Sequence, residues 1–384
     1  MNQAMCLKKG VEELAEELME SAFNYIKEAH SLQYALNPET TLVLRFVTGN
    51  ADCYFANLLE GYHIPPGLVE KAFSGQYEED LSIRNLQLLS RAHSKTHQLA
   101  MEQVLLDADK RAFSGDLATW IHQSFFRRVP KEFREARSGA EITPGRWIKQ
   151  DASQAKTDVF SDTLPSFKNQ GVHHLLAIIV HHAYLMAHWA EPVSESRIVR
   201  LHTQACLRMA DMDAGGLWSF CRMLFHNRQA YHRFLKSISE KEDLMELKLP
   251  ATDRLIYSFS AFFLNAFISE IRSMKNLLQQ DVLLGRVRKY IALRSAGLDG
   301  FRPLRTEAYY LLESTFLRGK VPRGEAGRIC GLGERTARSL VSAMLSEGLL
   351  LSENHRAPLR LGIPSHVSDW WLPGLFPAGA DTPV

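Results

Sequence analysis

Apolar residues recur at three- and four-residue spacing near the start of the chain, where Leu14, Leu18, Phe23 and Ile26 pattern residues 10–36 as one helix. Similar patterns run through 41–60, 82–106, 116–128 and 172–188, and again through 197–210, 215–237 and 252–291. The chain is therefore expected to be mainly α. One stretch departs from the helical period: RSGAEITPGRWIKQD at 137–151 carries a Pro144-Gly145 turn signal between short β-favouring runs, which predicts a small β-hairpin. No internal repeat or low-complexity tract interrupts this order.

After AGLDGFRP at 296–303 the texture changes, because Gly and Pro punctuate shorter helical patterns. TEAYYLLESTFLRG, RGEAGRICG and GERTARSLVSAMLSEGLL read as three short helices, and LLSENHRAPLRLGIP as two strands around a turn. That order predicts a winged helix-turn-helix, with Gly331 and Gly333 in the turn before its third helix. The expected division is an N-terminal helical region over 1–115, a helical core over 116–295 and the winged unit over 301–384.

Composition narrows the function classes. The 384 residues are 46% hydrophobic and 23% charged, ordinary for a globular chain with room for two or three domains. Forty-five Lys plus Arg against 43 Asp plus Glu leave a net charge of +2, too little to mark a nucleic-acid coat or a membrane-surface protein by itself. The longest apolar run, LLAIIV at 175–180, is far short of the roughly 18 residues that span a bilayer, so no membrane partner is expected. Lys8 and Lys9 precede VEELAEELMES and not an apolar signal segment. Five scattered cysteines without a C-x-x-C pair argue against a disulfide framework or a zinc cluster. A cytoplasmic location is the expectation.

The most informative stretch is HHAYLMAHWAEPVSESRIVRLHTQACL, His181 to Leu207: a His-bearing apolar helix, a short polar loop, and a new helix opening with Arg197 and Arg200. A loop feeding a helix N-terminus presents free N–H groups and a positive dipole end, and two arginines one turn apart add oxygen-anion partners. This is a candidate phosphate site. The same pattern also suits an ordinary helix-loop-helix whose arginines are solvated or paired with carboxylates. His174, His181 and His188 repeat every seven residues, which separates neighbours by about 10 Å along a helix, so a structural role suits them better than a shared metal. Trp218, Phe220 and Phe225 likewise read as core, since no dense basic run surrounds them.

These residues resemble a family. NADCYFANLLEGYHIPPGLVEKAF at 50–73, RNLQLLSRAH at 84–93, GGLWSFCRMLFHNRQAYHRFL at 215–235 and the whole of 318–364 are similar to Fic-domain proteins of the bacterial subgroup that carries a C-terminal winged helix. The resemblance implies a Fic-type helical bundle, and a relationship to enzymes that transfer AMP from ATP to a protein hydroxyl. Their signature has the form H-P-F-x-D-G-N-G-R-x-x-R. By the resemblance His188 stands at the general base and Arg197 and Arg200 at the two signature arginines, with Ser194 and Ser196 in the phosphate loop. Glu60, in Asn57-Leu58-Leu59-Glu60-Gly61, stands at the inhibitory glutamate that pairs with the second arginine, although Ala56 occupies the family's Ser/Thr position. Glu60 pairing with Arg200 is thus expected; a solvated residue at a helix end is the alternative.

The segment between the anchors departs from the family. WAEPVSES is one residue longer than the family spacing and lacks the Phe, the Gly-Asn-Gly turn and a clearly placed Asp. Pro192 offers no N–H, and serines do not share glycine's freedom to curl N–H groups around an anion. Glu191 and Glu195 place negative charge where a triphosphate would sit. One such pair at about 4 Å and an effective dielectric near 20 repels by about 4 kcal/mol, about a thousandfold in affinity. Either glutamate could instead replace the missing Asp as a Mg²⁺ ligand. The resemblance therefore implies ATP and Mg²⁺ for an active enzyme, and a degenerate nucleotidyltransferase if the loop no longer holds them. An enzyme using another phosphate-containing donor stays open.

A reading from another class makes the chain a regulator that binds duplex DNA or protein through the winged unit, with the helical body as scaffold or homodimer interface. Residues 303–363 hold nine Arg plus Lys against six acidic residues, with Arg335 and Arg338 near the start of the third helix.

Overall fold

The computed structural model describes residues 2–106, 115–135, 139–147, 171–190, 195–240, 254–297, 302–377 and 380, without the side chains of 2–14, 104–106, 115, 188 and 189. The described chain is mainly helical. Helix α1 (Asn2–Gln33) is followed by α2 (Pro38–Leu59), α3 (Pro66–Phe73), α4 (Leu81–Leu106) and α5 (Gly115–Phe126). Then come α6 (Val172–Tyr184), α7 (Ser196–Met209), α8 (Phe220–His226), α9 (Arg228–Ser239), α10 (Arg254–Leu278) and α11 (Gln280–Ala296). No described helix is long and apolar enough to cross a membrane.

Local chemistry sets the ends of the elements that matter for the site. Asn37 caps α2 by accepting from Thr40 N–H, with Pro38 in the first turn where no N–H is needed. At the other end the Glu60 N–H bonds to Asn57 O, and Gly61 at φ +85° turns the chain away. Ser219 caps α8 through its Oγ, which accepts from Arg222 N–H at 3.0 Å.

The predicted aromatic core is present. Trp218 and Phe220 pack on Phe263 and Phe267 of α10, with Tyr25 of α1 closing the cluster at 5.0 Å from Phe267. Full burial of each such ring contributes on the order of 1.5–3 kcal/mol. Phe225 is only partly buried, packing on Phe55 at 5.3 Å with the Arg228 guanidinium over its ring.

Of the hairpin expected over 137–151, residues 137–138 and 148–151 lie outside the described residues. Among the described residues, a single antiparallel bridge joins Glu135 to Glu141, on the N-terminal side of the predicted turn. The Pro144-Gly145 turn forms, with Arg146 N–H on Thr143 O, and among the described residues no ladder pairs its two arms. It carries the Gly145 N–H to His122 instead, and buried Trp147 packs 5.0 Å from that imidazole. A turn signal reports a reversal of the chain, not what the arms pair with.

Beyond Gly297 the chain forms α12 (Ala308–Arg318), α13 (Ala326–Cys330) and α14 (Glu334–Ser346), then the two-stranded antiparallel ribbon β1 (Leu350–Leu351) and β2 (Arg360–Leu361), and α15 (Ser365–Trp371). Gly331 in the left-handed conformation ends α13, and Val321 bridges to Leu359 beside the ribbon. This unit is docked, not tethered. Its apolar side chains belong to the same continuous core as the body, from Leu18 to Phe376.

Candidate functional site

The Glu60 carboxylate, one residue past the end of α2, meets both arginines that open α7. Arg197 Nε donates to the two Glu60 oxygens at 2.8 and 3.0 Å, and its Nη2 donates to Oε2 at 2.6 Å and to Asn57 Oδ1 at 2.9 Å. Arg200 Nη2 donates to Glu60 Oε1 at 2.5 Å, while its Nη1 donates to Ser196 Oγ at 3.0 Å. Arg197 is fully buried, and Arg200 and Glu60 are 4% and 6% exposed. Glu60 is thus no solvated helix end. Its partner set is also wider than the single pair expected with Arg200, because two guanidinium groups one turn apart straddle one carboxylate.

Neighbouring elements hold this cluster. Asn57 Nδ2 donates to Ser90 Oγ on α4, and the Arg197 guanidinium lies over the Phe125 ring of α5, 5.6 Å from its centroid. Burial alone would lower the Arg197 pKa, but the charge and hydrogen bonds of Glu60 outweigh it and raise the value, so the cation is fixed. A carboxylate at the negative end of α2 is disfavoured by the helix dipole; the two cations offset that.

Of the segment before α7, Glu195 is described. Glu195 is fully buried and receives a 3.1 Å hydrogen bond from His122 Nε2. Because His122 Nδ1 accepts from Gly145 N–H at 3.0 Å, the ring proton sits on Nε2, which makes His122 a donor to Glu195. Among the described residues no group of three or more His, Cys, Asp or Glu could hold a metal ion. The Glu195 carboxylate named as a Mg²⁺ candidate thus has the His122 imidazole as a partner. Glu191 and Ser194 lie outside the described residues. Ser196 opens α7 and serves Arg200.

The backbone of His188 lies in a π-helical turn, Leu185–Trp189, closed by Ala190 N–H on Leu185 O at 2.9 Å. A π turn takes up one residue more than an α turn. It stands at the head of the segment that is one residue longer than the family spacing.

Buried networks surround these groups. Asp52 on α2 accepts from Ser219 Oγ at 3.0 Å, Cys221 N–H at 2.8 Å and Gln204 Nε2 at 3.2 Å, with His93 Nε2 3.5 Å away. Burial would raise the Asp52 pKa, but His93 and these donors hold it below the usual carboxylate range. His181 packs on His202 with centroids 5.1 Å apart, and His182 bridges Thr203 and Tyr231, so these histidines are structural. The four described free cysteines Cys53, Cys206, Cys221 and Cys330 are buried.

Sequence reasoning missed His122, Asn57 and Asp52. His122 sits one turn before Phe125 on α5, and Asn57 one turn before Glu60 on α2, so helical spacing was the available signal. Arg335 and Arg338 lie on the exposed face of α14, where Arg338 pairs with Glu334 at 2.8 Å. That face is not packed against the body.

No protein-family model matches the chain, and no curated protein matches it. Among solved structures, the chain is similar to a Fic family protein from Desulfovibrio desulfuricans G20, with 14% identity, 92% of this chain and 95% of that chain covered, and a TM-score of 0.45.

Proposed function

We propose that the chain is a Fic-type protein related to protein adenylyltransferases whose site is closed to ATP-dependent AMP transfer. The observation that carries this reading is the Glu60 carboxylate engaging both Arg197 and Arg200 in a buried cluster. A triphosphate entering there would have to displace a carboxylate already making charge-assisted bonds within the same chain. The altered loop supports the same reading, since Pro192 offers no N–H and Glu191 adds negative charge.

Calorimetric titration with ATP and Mg²⁺ should give no saturable heat, and the wild type should incorporate no more AMP, on itself or in a lysate, than His188→Ala. Robust labelling that disappears in His188→Ala would overturn the closed-site reading.

A second reading, duplex-DNA binding through the C-terminal unit, draws on the solvent-facing Arg335 and Arg338 at the start of α14. In a helix-turn-helix arrangement that position meets the groove. Mobility shifts should weaken steeply with salt as counterions are released, and weaken again in Arg335→Ala/Arg338→Ala. Absence of any shift would leave protein docking as this unit's role.

A further inference from the structure

The helix that leads into Glu60 begins against the C-terminal unit. Asn37 does two jobs at that junction: its Oδ1 caps α2 through Thr40 N–H at 3.0 Å, and its Nδ2 donates to Phe316 O and Leu317 O, in the last turn of α12, at 2.8 and 3.1 Å. Thr40 Oγ1 adds a bond to Phe316 O at 2.7 Å. The positive end of α2 thus abuts the negative end of α12, a favourable head-to-tail alignment.

The junction is also tight. Gly319 sits at φ +75°, and a Cβ there would lie 2.6 Å from Glu39 Cβ and 2.7 Å from Asn37 Oδ1. Lys320 pairs with Glu39 at 2.5 Å, and Arg360 on β2 approaches the same carboxylate at 3.7 Å.

The same unit touches α2 and α3 again farther along. Phe376 packs edge-on against Tyr54 at 5.5 Å, and Ser365 N–H, at the start of α15, donates to Glu70 on α3 at 2.8 Å. Between these contacts every residue from Asn50 to Asn57 is buried. Twenty-two residues at 1.5 Å each make α2 about 33 Å long. Its two ends therefore join distant regions, one to α12 and the other to the arginines of α7.

We propose that the C-terminal unit holds α2 in the position where Glu60 closes on Arg197 and Arg200, so that the junction and the clamp are thermodynamically coupled. Sliding or rotating α2 to part it from α12 carries Glu60 off the arginines, and opening the clamp loosens the junction. The proposal rests on Glu60 as the closing group of the site, but not on AMP transfer.

Amide hydrogen exchange on the full chain tests it. Asn37→Ser/Thr40→Val keeps an N-cap for α2 while removing the donors to Phe316 and Leu317. Exchange at 57–62 and 196–201 should then quicken about five- to tenfold, the low end of ordinary coupling. Coupling is reciprocal, so Glu60→Gln should quicken exchange at 314–321 by a similar factor. Lys320→Gln, which removes only an exposed partner of Glu39, should shift the clamp amides in the same direction by less. Changes confined to 37–44 and 314–321 in the junction variants, or to the clamp in Glu60→Gln, would overturn the proposal. An equal rise throughout α10, which holds neither junction nor clamp residues, would be global loosening and would also count against it. These readouts involve no nucleotide, so they fail independently of the closed-site reading.

Discussion

Glu60→Ala is expected to destabilise the protein by about 3–5 kcal/mol, the cost of breaking a buried ion pair from one side. The variant leaves two cations where there was one carboxylate, with Arg197 fully buried and Arg200 4% exposed. Neither can escape by losing its proton. Two donors, Arg197 Nη1 and Arg200 Nε, already have no hydrogen-bond partner among the described residues, so the cluster has little spare satisfaction to draw on. Chemical denaturation of wild type and variant, read as the shift in midpoint at constant slope, measures the loss. Added phosphate or ATP should then restore the variant more than the wild type, because an anion binding only the folded form at a hundred times its dissociation constant returns about 2.7 kcal/mol. A variant as stable as wild type in anion-free buffer would mean that the arginines do not depend on Glu60.

The helices were legible because amphipathic spacing is a local property, although the patterns at 215–237 and 252–291 each cover two described helices. The partner of the Pro144-Gly145 turn was not, because that signal announces a reversal, while the His122 imidazole that Gly145 meets is 23 residues away. The same limit governs the site. Arg197 and Arg200 could be named from spacing and Glu60 from the family resemblance, but Arg197's share of Glu60 depends on Asn57 and Phe125, which three separate helices bring together. Glu195 read as a loop charge facing a phosphate, whereas the fold buries it against an imidazole 73 residues earlier in the chain.

The C-terminal unit illustrates the other side of this limit. Gly and Pro between 296 and 303 mark a change of texture, and among the described residues an order of short helices and two strands follows it. Texture does not report docking, however. The bonds from Asn37 and Thr40 to Phe316 span 279 and 276 residues, and no local pattern encodes which helix end an asparagine amide will meet.

Acid should destabilise this protein between pH 6.5 and 4.5, above the range in which most carboxylates protonate, because several histidines are buried in a neutral state. Burial pushes the His93 imidazole down from 6.5 to about 4 and His182 to about 3, with His97 and His181 also lowered. At His182 the geometry explains the cost. Thr203 Oγ1 already donates to Val199 O, so it accepts from His182 Nδ1, which leaves Nε2 to accept from Tyr231 at 2.7 Å; a second ring proton must break that bond. Below pH 6.5 the unfolded chain binds protons that the folded chain refuses, so stability is fully present above that pH and is lost as pH falls. The slope approaches about 1.4 kcal/mol per pH unit for each histidine below its unfolded pKa, so His93 and His182 alone remove about 3 kcal/mol between pH 6.5 and 5. That is a large fraction of the net stability of many domains. Asp52 has the same sign in a different window: its lowered pKa contributes stability above its unfolded value of 3.8 that is lost only below it. Urea titrations at pH 7.5, 6, 5 and 4.5 should therefore show a midpoint that falls steeply from pH 6 downward. His93→Gln should reduce the slope by about one proton. A midpoint unchanged between pH 7.5 and 5 would show that these imidazoles are free to take up protons in the folded state.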